Sequence, residues 1–310
     1  MATTAAPVVA TEGGDDGVLD SCVEAEAELA PALSNVGLRE PLSTLAAEFK
    51  FNASFAAKVQ DLERRGYVGW RRVRGDGNCF YRAVGFGALE LIASRPAAER
   101  ELLAAALRKR LEELPPPEDD EGLAALEGLL TRVARLGEAG VWEDSAASPS
   151  GTLSCMPAPK GAAALESLHR SFNDPHRRVD AAMISCLRRL AAQRLLANAS
   201  DDEATGCGIS YETICTSQGF QSVEDFCQRV VLPEGTEAES LVMSALPVAL
   251  GIRLRIAFLD RLEASEVPFC DFGQGADDGA SESVPEVHLQ LRPGHYDLLY
   301  FGAGLDPCGV

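Results

Sequence analysis

The chain has no CxxC pair: its nine cysteines, at positions 22, 79, 155, 186, 207, 215, 227, 270 and 308, stand singly and are odd in number. Histidine is scarce, with only residues 169, 176, 288 and 295, and none sits at ligand spacing from a cysteine. These two absences argue against a structural zinc site, and no metal or other cofactor is expected. Also missing is any apolar run long enough to cross a bilayer, so no membrane partner is expected. The opening stretch MATTAAPVVATEGGDD has neither the basic start and apolar centre of a secretory signal nor the low acidity of a transit peptide. The expected compartment is therefore reducing and cytoplasmic, with the nucleus also open to the chain, and the cysteines are expected to be free thiols, most of them small buried hydrophobes. Basic residues are outnumbered, 28 Lys and Arg against 47 Asp and Glu, for a net charge of −19. That sign repels phosphates, so nucleic acid is not an expected partner, and a basic protein partner is favoured.

What is present is enough for a folded core: 310 residues, 46% of them hydrophobic. Residues 1–38 are rich in Ala, Gly and acid and read as a disordered or weakly helical tail. Apolar residues recur at helical spacing from Pro41 to Gly66, and YVGWRRV, residues 67–73, has the β-branched and aromatic character of a strand. Helices are predicted over about 79–93, over the stretch that ends at Pro115, and over GLAALEGLLTRVARLGEAG; residues 144–161 read as a mobile loop. Helical patterns resume at 162–173 and 177–198. Ser222 with Asp225 three residues on resembles a capping box, so another helix is predicted to start there, followed by one over 238–251. IRLRIAFLD alternates as a strand, 262–285 reads as an acidic, Gly-rich loop, and EVHLQLR with HYDLLYF reads as a hairpin around Pro293-Gly294. With no internal repeat and no interior linker, one α/β or α+β domain over about 39–305, with a short tail at 306–310, fits best.

One stretch calls for a chemical explanation. In GDGNCFYRAV, residues 75–84, a glycine-bearing turn leads into a helix whose first turn carries Cys79. Packing, metal ligation, redox pairing and nucleophilic attack all use cysteine. A helix start favours the last, because its unpaired N–H groups and partial positive charge stabilise a thiolate. Gly75 and Gly77 permit backbone paths that let amides converge on an anion, as an oxyanion hole requires. A dinucleotide-binding GxGxxG fails because Phe80 occupies the third glycine position. A nucleophilic thiol needs an imidazole and a group that orients it. On a strand, His295 and Asp297 share one face, so the carboxylate can accept the ring's Nδ1–H, while Tyr296 and Leu298 face the other way into packing. His169, His176 and His288 read as solvated. The bland alternatives stay open on spacing alone: a structural Cys79, a surface His295–Asp297 pair, and Asp76 as a turn residue.

Taken together, GDGNCFYRA and RPGHYDLLY, in that order, resemble the otubain branch of the ovarian-tumour (OTU) deubiquitinases, with looser likeness through KVQDLERRGYVGWRRV, SFND, VEDFCQRVV and EAESLVMSALPVALGIRLRIAFLDR. The resemblance implies a papain-like OTU fold, a small central β-sheet packed between helical lobes. It implies a cysteine peptidase that hydrolyses the isopeptide bond after the C-terminal glycine of ubiquitin. Cys79 is then the nucleophile and His295 the general base and later acid. Asp297 orients His295, Asp76 is a further catalytic residue of the active-site signature, and its turn, with Gly77 and Asn78, builds the oxyanion hole with the Cys79 amide. Ubiquitin and polyubiquitin are the implied substrates, the proteasome-targeting chain type the implied preference, and ubiquitin-conjugating enzymes a further class of partner. Residues 118–160 and 262–285 depart from the family pattern. Two alternatives accompany this reading: a non-catalytic ubiquitin-binding regulator of conjugating enzymes, and the same chemistry on a ubiquitin-like modifier.

Overall fold

The computed structural model of the chain describes residues 34–114, 120–135, 162–260, 266–273 and 284–302. Six strands form one sheet: β1 (Val36–Pro41), β2 (Tyr67–Val73), β3 (Arg253–Phe258), β4 (Phe269–Gly273), β5 (Glu286–Arg292) and β6 (His295–Phe301), in the order β1-β2-β6-β5-β3-β4. Only β3 and β5 run parallel; the other neighbours are antiparallel. The described helices are α1 (Leu42–Glu48), α2 (Ala53–Arg64), α3 (Cys79–Ser94), α4 (Ala97–Glu112), α5 (Asp120–Ala134), α6 (Ala162–Asn173), α7 (Val179–Ala197), α8 (Tyr211–Ser217), α9 (Val223–Phe226) and α10 (Ser240–Leu250). This is the α/β arrangement expected, a central sheet between two helical layers.

The period-2 alternation of the strands produces those layers. On β6, Tyr296, Leu298 and Tyr300 join the larger core with α3, α7 and α10, whereas Leu299 joins Trp70, Tyr67 and Ala257 against α1 and α2. Burying both faces this way is the main stabilising force, at roughly 25 cal/mol per Å² of apolar surface removed from water. Helix α3 runs through the middle, and all but two of its sixteen residues are buried. It can lie so close to the sheet because Gly87 has no side chain: a Cβ there would stand 2.9 Å from Leu298 and Val287. The fold thereby carries the start of α3, with Cys79, to the end of the sheet where β6 begins.

The structure corrects several expectations. Residues 36–38, assigned to the tail, belong to β1, an edge strand whose Leu38 is exposed and whose Arg39 and Glu40 hide the usual alternation. The helical stretch 41–66 is two helices, because Asn52 turns the chain and caps α2 by accepting from the Phe55 N–H at 3.1 Å. The loop 262–285 contains β4, held to β3 across the Arg255–Asp271 ion pair at 2.8 Å. Helix α8 had no counterpart in the reading of the sequence; Ser210 caps it. His169 is not solvated: Nε2 lies 2.8 Å from the Val36 carbonyl and fixes β1. His288 is also drawn inward, 2.9 Å from the Tyr67 hydroxyl, and burial lowers its pKa. His176 is exposed, as expected. Ser222 caps α9 as expected, accepting from the Asp225 N–H at 3.2 Å, while the Asp225 carboxylate reaches back to the Gln221 N–H at 3.1 Å rather than to that of Ser222. Cys186, Cys215 and Cys227 are buried packing residues, while Cys207 and Cys270 are exposed. The expected loop at 144–161, most of the tail 1–38, and the segment 306–310 lie outside the described residues.

Candidate active site

Cys79 is the first residue of α3 and is nearly enclosed, 4% exposed. The turn before it is built by three contacts. The Asn78 N–H donates to Asp76 Oδ1 at 3.1 Å, closing the turn on itself. Gly77 takes φ = +78°, and a Cβ there would fall 1.8 Å from the Gly235 carbonyl oxygen, so only glycine fits. Asn78 Oδ1 accepts from the Gly235 N–H at 2.9 Å and from Arg188 Nη2 at 2.7 Å. As the first helical amide, the Cys79 N–H has no intrahelical acceptor, and the Asn78 side chain does not cap the helix. An anion beside the sulfur would meet those free N–H groups.

The Asp76 carboxylate is held by two cations. Arg82 grips both its oxygens at 2.7 and 2.8 Å, and Arg74 Nε adds a bond of 2.8 Å. Burial would raise its pKa, but the Arg82 and Arg74 hydrogen bonds outweigh that and hold the carboxyl far below the usual carboxylate range. Arg82 is itself fully enclosed and shared with Asp180 of α7, Nε lying 2.8 Å from Asp180 Oδ1. Asp76 therefore shapes the turn and does not touch the sulfur. Sequence reasoning missed Arg82, Asp180 and Arg188. Arg82 was within reach: it stands one helical turn after Cys79, the distance at which a side chain can fold back on the preceding turn. Asp180 and Arg188 sit about 100 residues away in the chain, and their roles had no local signal.

His295 opens β6 and meets both partners. Its Nε2 lies 2.9 Å from Asp297 Oδ1, and the neighbouring Cys79 adds to the rise in the ring's pKa. With Nε2 taken, the nitrogen left for the thiol is Nδ1, which faces the turn: a Cβ on Gly75 would stand 3.2 Å from it. The sequence reading expected the opposite assignment, Nδ1 to Asp297. Strand periodicity fixes the shared face of the two residues but not the rotation of the ring, which the approach of α3 decides.

Asp297 is completely buried and accepts four times. Beyond His295, it receives the Val73 N–H at 2.9 Å, Gln290 Nε2 at 3.1 Å, and the Arg292 guanidinium. Burial alone would raise its pKa; the bond from His295, the Arg292 charge and the Val73 amide reverse that and keep it ionised. The Asp297 hydrogen bond is also the largest reason that the His295 pKa is raised to about 9, with the neighbouring Cys79 second and burial opposing both. At neutral pH the ring is therefore an imidazolium beside the Cys79 sulfur, between a buried carboxylate and a helix start. Such a group can deliver a proton to a leaving amine and can recover one from water.

Beside His295 a cavity of about 290 Å³ opens, walled by Phe49, Phe55, Leu259 and Arg292. A larger one, about 540 Å³, lies around Glu90, His288 and Tyr300. None of the expected site residues lines the larger cavity, so its size does not bear on the chemistry.

A papain-like thiol hydrolase is the class that this fold and array define. The peptidase C65 otubain family model matches residues 27–121 and 161–301. The chain belongs to that otubain family. The gap in the match falls within the 118–160 region that departs from the family pattern. An ovarian tumor domain-containing deubiquitinating enzyme 1 from Arabidopsis thaliana is 27% identical over 96% of this chain and 92% of its own length. Ubiquitin thioesterase OTUB1 from Homo sapiens is 25% identical over 92% of this chain and 90% of its own length. Among solved structures, an OTUB1–ubiquitin aldehyde–UBC13~Ub complex matches with a TM-score of 0.62 and 25% identity, covering 86% of this chain and 91% of that one.

Proposed function

We propose that this chain is a cysteine deubiquitinase that hydrolyses the isopeptide bond after the C-terminal glycine of ubiquitin. The observation that carries this reading is His295 engaged on one side by Cys79 and on the other by buried Asp297. Membership of the otubain family and the deubiquitinating and thioesterase relatives support it.

In the proposed mechanism the Cys79 thiolate attacks the glycine carbonyl carbon, a C–S bond forms, and the carbonyl electron pair moves onto oxygen. The free amides at the start of α3 stabilise that oxyanion, the interaction that strengthens most at the transition state. Collapse breaks the C–N bond as the His295 imidazolium gives its proton to the lysine amine. Water then attacks the thioester as His295 takes its proton, the C–S bond breaks to return the Cys79 thiolate, and ubiquitin leaves as a carboxylate. Asp297 holds the ring and stabilises its cation; Asp76, Gly77 and Asn78 hold the turn. Because the amine must depart on the His295 side, the cavity walled by Phe49 and Phe55 is placed to receive the stem of the modified lysine.

Ubiquitin and polyubiquitin are the proposed substrates, with the proteasome-targeting chain type preferred. Ubiquitin-conjugating enzymes are proposed partners, a reading supported by a similar OTUB1 structure that holds UBC13~Ub. A panel of C-terminally electrophilic probes, built on ubiquitin and on ubiquitin-like modifiers, tests chemistry and substrate together. Ubiquitin probe should label the wild type, and Cys79→Ala should abolish labelling. A folded, reduced wild type that ignores the ubiquitin probe overturns the proposal, and preferential labelling by another modifier changes the substrate.

A further inference from the structure

Arg188 lies on α7, 1% exposed, and its guanidinium reaches three separate segments. Nη1 donates to the Val231 carbonyl at 2.8 Å; Nη2 donates to the Thr236 carbonyl at 2.8 Å and to Asn78 Oδ1 at 2.7 Å. The guanidinium carbon lies 4.1 Å from the centre of the Tyr81 ring, which fixes its plane. A buried cation with neutral acceptors is an expensive arrangement, and burial lowers the Arg188 pKa. The acceptors are unusual too. The Val231 carbonyl ends a π-helical turn, Cys227–Val231, that continues α9 and closes with the Leu232 N–H on Cys227 O at 2.9 Å. Such turns are rare and recur at functional sites.

Asn78 gives the arrangement its sense. Asparagine at the start of a helix ordinarily accepts from the first free N–H groups. Here its backbone is held at φ −105°, ψ 4°, outside the extended region that a capping residue uses, and its oxygen is turned back to Arg188 and Gly235. The first amides of α3 are left without a side-chain cap, beside the nucleophile. Carbonyls or amides alone could join the turn to the 232–236 loop; only a planar fork can take Asn78, Thr236 and Val231 at once.

We propose that Arg188 is a positioning residue for the oxyanion hole: by tying Asn78 to the 232–236 loop it holds the turn in the one shape that leaves the α3 amides open to the reacting carbonyl oxygen. This rests on the deubiquitinase reading and adds to it a residue that touches no substrate. Its action is through Asn78 and separate from the His295–Cys79 pair.

The test compares wild type, Arg188→Lys, Asn78→Ala and the double variant. Turnover of a ubiquitin C-terminal fluorogenic conjugate reads kcat and KM; alkylation of Cys79 by iodoacetamide, which passes through no oxyanion, reads the nucleophile. Each single variant should lower kcat about tenfold or more, a part of what deleting one oxyanion donor does, with KM and the pH profile of alkylation little changed. The double variant should be no more than about twofold slower than the worse single one, because both break one link. Asn78→Ala, at a half-buried edge, carries the test if Arg188→Lys does not fold. Alkylation falling in step with kcat, an unchanged kcat in either single variant, or losses that multiply would overturn the inference while leaving an active wild type, and so the deubiquitinase reading, intact. A wild type inert toward every ubiquitin conjugate would overturn both.

Discussion

Asp297→Asn is the substitution whose outcome the geometry constrains most. All four partners of the carboxylate are donors: His295 Nε2, the Val73 amide, Gln290 Nε2 and the Arg292 guanidinium. An amide of the same shape must turn its NH₂ toward two of them, so whichever way it sits, either the His295 side or the Arg292 side loses its acceptor. The larger effect is on charge. His295 is raised to about 9 with Asp297 as the first cause; without it, the ring falls back toward its ordinary value near 6.5, held above that only by what Cys79 contributes beyond burial. At pH 7.5 the imidazolium fraction then drops, and kcat/KM should fall by about two- to tenfold before any loss of ring orientation is counted. A pH–rate profile of ubiquitin-conjugate hydrolysis provides the assay. In the wild type the alkaline limb should fall through about pH 9; in the variant it should shift down by at least about one pH unit. The same group leaves a mark on stability. Because its folded pKa is raised, the stabilisation it provides is complete below its unfolded pKa near 6.5 and is lost as pH climbs through about 9. Urea unfolding across that window should show a decline in the wild type that the variant lacks. A variant with wild-type rate and an unmoved alkaline limb would refute the assignment of Asp297 as the source of the shift.

The remaining predictions concern the scaffold. Gly77→Ala should reduce turnover at least about a hundredfold, because its Cβ would strike the Gly235 carbonyl at 1.8 Å in a left-handed backbone. Gly206→Ala, at a similar φ with nothing within 4 Å, should cost only about 1 kcal/mol in urea unfolding and spare activity; equal effects at the two sites would sink the steric argument. Glu90 joins Arg71 at 2.9 Å and Tyr300 at 2.6 Å inside the protein. Removing its carboxylate strands the Arg71 cation, so Glu90→Ala should cost about 3–5 kcal/mol in urea unfolding, and a loss under about 1 kcal/mol would mean that Arg71 reaches water.

Local features of the chain already determine much of this protein. β2 and the β5–β6 hairpin follow from strand alternation, the α9 cap from Ser222 and Asp225, and the placement of Cys79 on a helix start from the glycine turn before it. Each depends on interactions within a few residues, which is why each is written in sequence order. β1 and β4 were invisible because they are edge strands, stabilised by the neighbour they pair with and lacking a clean apolar face. At the site, the residue types were legible, but their connections were not. His295 stands 216 residues from Cys79, and nothing along the chain says which ring nitrogen meets the sulfur; that is settled by where α3 is packed against β6. Arg188 was harder still to see. On α7 it looks like one more helical arginine, and only the folding of three distant segments around its guanidinium gives it neutral acceptors to hold. Short-range chemistry is encoded in neighbours, while a buried charge takes its meaning from whatever the core brings against it.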